Sequence, residues 1–158
     1  DLDILKNWTR EIKEVFRERG DKHLITIGDD LSLYLLDILD YACVHTYEPA
    51  EFAYIKGLDK PFIFQEVWNE AGCSLNEEIK QKEELAKDFN ASLETQAAGF
   101  VPWQWTRQAR LWDNASDSEK WDNDLGLYAR EDGSLKPAAE IYYSLVNSAK
   151  KYKVMELK

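Results

Sequence analysis

The spacing of apolar positions changes several times along the chain, and those changes divide it into alternating helical and extended segments. After Asp3, the residues Leu5, Trp8, Ile12, Val15 and Phe16 recur at helical spacing and predict an amphipathic helix. Gly20 stands where a helix commonly ends. Leu24-Ile25-Thr26-Ile27 is then a short, β-branched run closed by Gly28-Asp29-Asp30, which reads as a strand entering a loop. The cycle repeats: Leu31 to Leu39 is apolar and helix-compatible, and Tyr41-Ala42-Cys43-Val44 predicts a second strand that ends in His45-Thr46-Tyr47. Glu51 to Ile55 predicts a short helix and Lys60-Pro61 a break. Phe62-Ile63-Phe64 predicts a third strand ending at Gln65-Glu66.

The longest helix follows. Ser74 and Glu77 have the spacing of a capping box, and Ile79, Leu85, Ala86, Phe89, Leu93 and Ala97 recur behind them at helical spacing. Gly99 is expected to break this helix, before a fourth strand over Phe100-Val101-Pro102-Trp103-Gln104-Trp105. Asp113 to Asp124 is polar and reads as a loop. Pro137 sits at a favourable first helical position, ahead of Ile141, Tyr142, Leu145, Val146 and Ala149 on one face. The predicted strands are continuously apolar rather than alternating, the mark of a parallel sheet buried on both faces. The expected class is therefore α/β.

Composition narrows this picture. The 158 residues are 44% hydrophobic, enough for one domain with a core, and the formal net charge of −10 argues against a nucleic-acid or anionic-membrane partner. No apolar run is long enough to span a membrane, and no apolar leader opens the chain. The chain begins without Met and reads as part of a longer polypeptide, so its compartment stays open. Cys43 and Cys73 form neither a disulfide framework nor a metal site; Cys43 is expected to pack as a small hydrophobe, a Cys43–Cys73 bridge being the other option. Nothing in the pattern calls for a cofactor.

Polar groups gather where the predicted strands end: Asp29 and Asp30, then His45 and Tyr47, then Gln65 and Glu66, then Gln104 beside Trp103 and Trp105. In parallel α/β folds that edge is where sites are built. A strand-end carboxylate with a His and a Tyr on the neighbouring strand can be held ionised and aimed. Indole rings beside it supply flat apolar faces that pack on sugar rings while leaving an N–H to donate. Asp29 and Asp30 read as loop and cap residues rather than substrate contacts, and Glu70 as a solvated loop carboxylate.

The ordered set His23 to Gly28, Asp40 to Tyr47, Lys60 to Glu66 and Gly99 to Trp105, with Lys136-Pro137-Ala138-Ala139 behind it, resembles consecutive strands of cellulase/mannanase-like barrels of glycoside hydrolase clan A. The resemblance covers nearly the whole chain. It implies that residues 1–158 form the C-terminal half of a TIM (β/α)8 barrel, about four strands with their helices. It implies that Glu66 is the catalytic nucleophile, with His45, Tyr47, Trp103 and Trp105 on the carbohydrate. One departure concerns the loop after Glu66, where Val67-Trp68-Asn69-Glu70-Ala71-Gly72 delays the expected Gly.

The family's acid/base Glu has no counterpart here, and the helix at Leu5 to Phe16 resembles the one that follows the strand carrying it. The implied enzyme is thus a retaining glycoside hydrolase acting on β-linked oligo- or polysaccharide, of which this chain holds the nucleophile alone. Its implied protein partner is the missing N-terminal half of the barrel, or a second copy in a homodimer. The alternative is a non-catalytic carbohydrate-binding or scaffold half-barrel.

Overall fold

In the computed structural model, residues 1–46, 54–55, 57–68, 74–103 and 134–156 are described, with the backbone alone for 68 and 150–156. Helix α1 (Leu2–Glu18) starts on Asp1, whose carboxylate accepts the Asp3 N–H at 3.0 Å. It closes as a Schellman turn: Gly20, at φ +79°, donates to the Arg17 carbonyl and Asp21 to that of Phe16. A 3-10 helix spans Asp30–Leu35, where the sequence allows a longer helix to Leu39. Strands β1 (Ala42–Thr46), β2 (Phe62–Trp68) and β3 (Gly99–Trp103) follow, with helix α2 (Leu75–Glu94) before β3 and helix α3 (Pro137–Glu156) last. The three strands form one parallel sheet in the order β1-β2-β3.

The core lies on the helix-facing side of this sheet. Ala42 and Val44 of β1 and Phe62, Phe64 and Val67 of β2 are buried there with Ile55. Phe64 is fully buried, a burial worth about 1.5–3 kcal/mol for a side chain of this kind. A second cluster of Leu35, Ile38 and Leu39 is flanked by Leu5, Ile25 and Ile27, and so ties α1 to the sheet's edge. α2 and α3 meet through Phe89, Phe100 and Tyr142; the Tyr142 hydroxyl donates to the Phe100 carbonyl at 3.1 Å, and burial pushes its pKa up.

Two further elements differ from their sequence reading. Leu24–Ile27 does not join the strand ladder. It runs beside β1, linked by one backbone bond (Asp40 N–H to the Ile25 carbonyl, 2.9 Å) and by side chains that stand in for the others. The Asp40 carboxylate accepts the Ile25 N–H at 2.8 Å, and the Thr26 hydroxyl donates to the Tyr41 carbonyl at 2.7 Å.

α2 ends at Glu94, with Gln96 rather than a glycine in the left-handed region at φ 62°. Gly99 serves close packing instead: a Cβ there would lie 2.9 Å from Ile63 Cγ2. The capping box forms as expected. The face of α2 that is buried, however, carries Glu78, Gln81, Leu85, Asp88, Phe89 and Ser92, while Ile79 and Leu93 are exposed. Periodicity fixes that a helix has a buried stripe but not which flank of it turns inward. Glu78, Gln81 and Asp88 are each engaged in an interaction, which is the condition for burying such groups. Cys43 is a buried free thiol whose pKa is raised by burial, and Cys73 lies outside the described residues.

Candidate active site at the strand ends

β1 shows what prepares the site. Along a strand, alternate residues direct their backbone groups to the same neighbour, so Tyr41, Cys43 and His45 all face the Leu24–Ile27 side. Among the described residues none of the three is met there by a backbone partner. The Thr26 hydroxyl meets Tyr41. The Ser32 hydroxyl donates to the Cys43 carbonyl and accepts the Cys43 N–H at 2.8 Å. The Asp30 carboxylate accepts the His45 N–H at 2.7 Å. A row of side chains therefore replaces a strand, and its last member fixes the backbone of His45. Asp29, which caps the 3-10 helix through Leu31 N–H at 3.3 Å, sits at φ 115°, a conformation costly for any residue with a side chain.

β2 supplies the second half of the arrangement. Val44 pairs with Phe64 but His45 with Glu66, and on the other side Phe64 pairs with Phe100 but Val67 with Pro102. β2 thus carries one extra residue, at Gln65–Glu66, relative to both neighbours. Such a bulge breaks strict alternation and re-aims side chains. Here both residues reach the same imidazole: Gln65 Oε1 lies 3.3 Å from His45 Nε2, and Glu66 Oε2 lies 3.4 Å from His45 Nδ1. The His45 and Glu66 side chains are 22% and 18% exposed, sheltered yet open to a ligand. An ionised carboxylate only accepts, so the proton of a neutral ring belongs on Nδ1; Nε2 then requires the amide N–H₂ of Gln65, and the imidazolium its oxygen. Gly28 is close behind Gln65: a Cβ there would come within 3.0 Å of Oε1.

The structure therefore brings Glu66 and His45 together and puts Trp103, partly exposed, at the end of the adjoining strand, where its backbone pairs with Trp68. Tyr47, Glu70 and Trp105 lie outside the described residues. Asp30, Ser32, Gly28 and Gln65 complete the geometry. Asp30 reads in the sequence as a cap, but it is Asp29 that caps; the tell-tale spacing is Asp30-x-Ser32, two acceptors set to serve alternate residues of the next strand. Among the described residues no cluster of three or more His, Cys, Asp or Glu could hold a metal, and no helix is long and apolar enough to cross a membrane.

No protein-family model matches this sequence, and no curated protein matches it. Solved structures that share its fold include two glycoside hydrolases. One is a GH113 β-1,4-mannanase in complex, 20% identical, with a TM-score of 0.59 over 89% of this chain and 50% of that one. The other is a GH2 β-galacturonidase from Eisenbergiella tayi bound to galacturonate, 18% identical, with a TM-score of 0.54 over 72% of this chain and 25% of that one. This chain has a glycoside-hydrolase-like α/β fold. It spans about half the length of the first neighbour and a quarter of the second.

Proposed function

We propose that this chain is the nucleophile-bearing part of a retaining glycoside hydrolase acting on β-linked oligo- or polysaccharide. The observation that carries the reading is the bulge that aims Glu66 and Gln65 at His45, at the C-terminal ends of parallel strands, in a fold shared with two glycoside hydrolases. In this mechanism a Glu66 oxygen attacks the anomeric carbon and the glycosidic C–O bond breaks. A second carboxyl delivers its proton to the leaving oxygen. That carboxyl, now a base, takes a proton from water, whose oxygen displaces Glu66 from the anomeric carbon. His45 orients the attacking carboxylate through Nδ1, and Trp103, with Tyr47 and Trp105, provides the sugar-facing wall.

Retaining chemistry needs two carboxyls roughly 5–5.5 Å apart. Within β1, β2 and β3, Glu66 is the sole carboxylate-bearing residue, so the proton donor comes from outside this sheet. The same fact favours a second reading, a non-catalytic carbohydrate-binding or scaffold half-barrel. The two readings separate on Glu66→Gln in the complete protein. A catalytic Glu66 predicts a fall in aryl β-glycoside hydrolysis of roughly a thousand-fold or more, with binding of the glycoside retained. Equal hydrolysis by the wild type and the variant removes Glu66 from the nucleophile role. Binding without hydrolysis by the unaltered protein selects the scaffold.

A further inference from the structure

Gln65 and Glu66 are consecutive residues, yet the bulge in β2 sets them at opposite ends of one imidazole. Gln65 Oε1 stands 3.3 Å from His45 Nε2, and Glu66 Oε2 stands 3.4 Å from His45 Nδ1. The backbone of His45 is fixed already, since its N–H donates to the Asp30 carboxylate at 2.7 Å. Its side chain is 22% exposed, so packing alone does not immobilise the ring. The torsion that turns a histidine ring is broad and roughly two-fold. A half-turn would exchange Nδ1 for Cδ2 and Nε2 for Cε1, so both nitrogens keep their partners together or lose them together. Each partner therefore holds the ring for the other.

The two partners are not equal across a retaining reaction. Glu66 is a charged acceptor before it attacks the sugar and a neutral ester once the glycosyl–enzyme bond has formed. Its grip on Nδ1–H weakens in that intermediate, because hydrogen bonds to charged groups are about twice as strong as neutral ones. The Gln65 amide takes no part in bond making and keeps its hold throughout. An amide also turns either a donor or an acceptor toward Nε2, and so serves the ring in both of its protonation states. Gly28 leaves the room this needs: a Cβ there would lie 3.0 Å from Oε1 and 3.5 Å from Nε2 of Gln65.

Given Glu66 as the nucleophile, on which this rests, we infer that Gln65 is a positioning residue for the second step of hydrolysis: it keeps the His45 ring in place while Glu66 is esterified. In that step a water oxygen bonds to the anomeric carbon and the water proton passes to the second carboxyl. The bond from the anomeric carbon to Glu66 breaks, and its electron pair returns to the carboxylate. An Nδ1–H held on Glu66 stabilises that charge as it develops, which favours the step. The first step runs from carboxylate to ester and gains nothing from the same donor.

The test is Gln65→Met in the complete protein, assayed on a dinitrophenyl β-glycoside, whose good leaving group makes the second step limiting. The expected result is that kcat and KM fall together, by roughly ten-fold for one lost hydrogen bond, with kcat/KM kept within about three-fold and a burst of dinitrophenolate ahead of steady turnover. A fall in kcat/KM that matches the fall in kcat, or a lowered urea midpoint, would make Gln65 a space-filling residue and overturn the inference. An unchanged kcat overturns it too.

Ring NMR separates the inference from the reading beneath it. In Glu66→Gln, residue 66 is uncharged, as it is in the ester, and the His45 ring N–H signal is expected to stay protected from exchange with water. Adding Gln65→Met is expected to abolish that protection. Loss of protection in Glu66→Gln alone overturns the inference. Equal hydrolysis by Glu66→Gln and the wild type removes the nucleophile and the second step with it, while the ring signal still shows whether Gln65 holds His45.

Discussion

Replacing Ser32 with Ala tests whether side chains really stand in for a strand along β1. The Ser32 hydroxyl is fully buried, as is Cys43, and it both donates to the Cys43 carbonyl and accepts the Cys43 N–H. Alanine fits the space but removes one oxygen, leaving a donor and an acceptor with no access to water. Each orphaned buried group costs about 1–3 kcal/mol. Partial relaxation of the Cys43 peptide into the vacated space puts the expected loss at about 2–4 kcal/mol, a large share of the roughly 5–15 kcal/mol of a typical domain. Urea unfolding followed by Trp fluorescence measures it, with the midpoint falling and the slope unchanged. Ser144→Ala, on an exposed position of α3, serves as the control and should stay within about 0.5 kcal/mol of the parent. A Ser32→Ala variant as stable as the control would refute the account: the Cys43 amide would then have another partner, and the positioning of His45 two residues on would need a different cause.

Three further substitutions test other contacts of the fold. The Lys13 ammonium, followed by the Ile25 N–H and Arg17, holds the Asp40 carboxyl below its ordinary value, against partial desolvation. A folded pKa below the unfolded one means a stabilisation present above about pH 4 and lost as pH falls through the folded value. Asp40→Asn should therefore lower the urea midpoint at pH 6, by about 1–2 kcal/mol of stability, and narrow its gap to the wild type toward pH 3. The two packed glycines should separate by what a new Cβ meets. Gly99→Ala drives a methyl to 2.9 Å from the branched Ile63 side chain and should cost about 1–3 kcal/mol in urea unfolding. Gly28→Ala meets only the far end of the Gln65 side chain, so stability should change by less than about 1 kcal/mol while the NMR resonances of the His45 ring move as Gln65 is displaced.

Much of the scaffold was legible in residue order. The Ser74–Glu77 capping box, the glycine end of α1, the Pro137 helix start and the three apolar runs that became β1, β2 and β3 are local features, set by propensity and by hydrogen bonds within a few residues. The gathering of His45, Gln65 and Glu66 at strand ends was legible too, because parallel strands end on one side.

Tertiary structure decided what depends on neighbours distant in sequence. Leu24–Ile27 has the composition of a strand, yet Thr26, Ser32 and Asp30 take the positions a ladder would use, a substitution that no local pattern signals. The extra residue in β2 is invisible without the registers of β1 and β3, and it alone lets Gln65 and Glu66, adjacent in sequence, reach one imidazole. The apolar stripe of α1 was read correctly as a stripe. That it faces solvent while the charged flank binds Asp37 and Asp40 follows from which surfaces this chain brings to pack against it, and sequence periodicity contains no term for that.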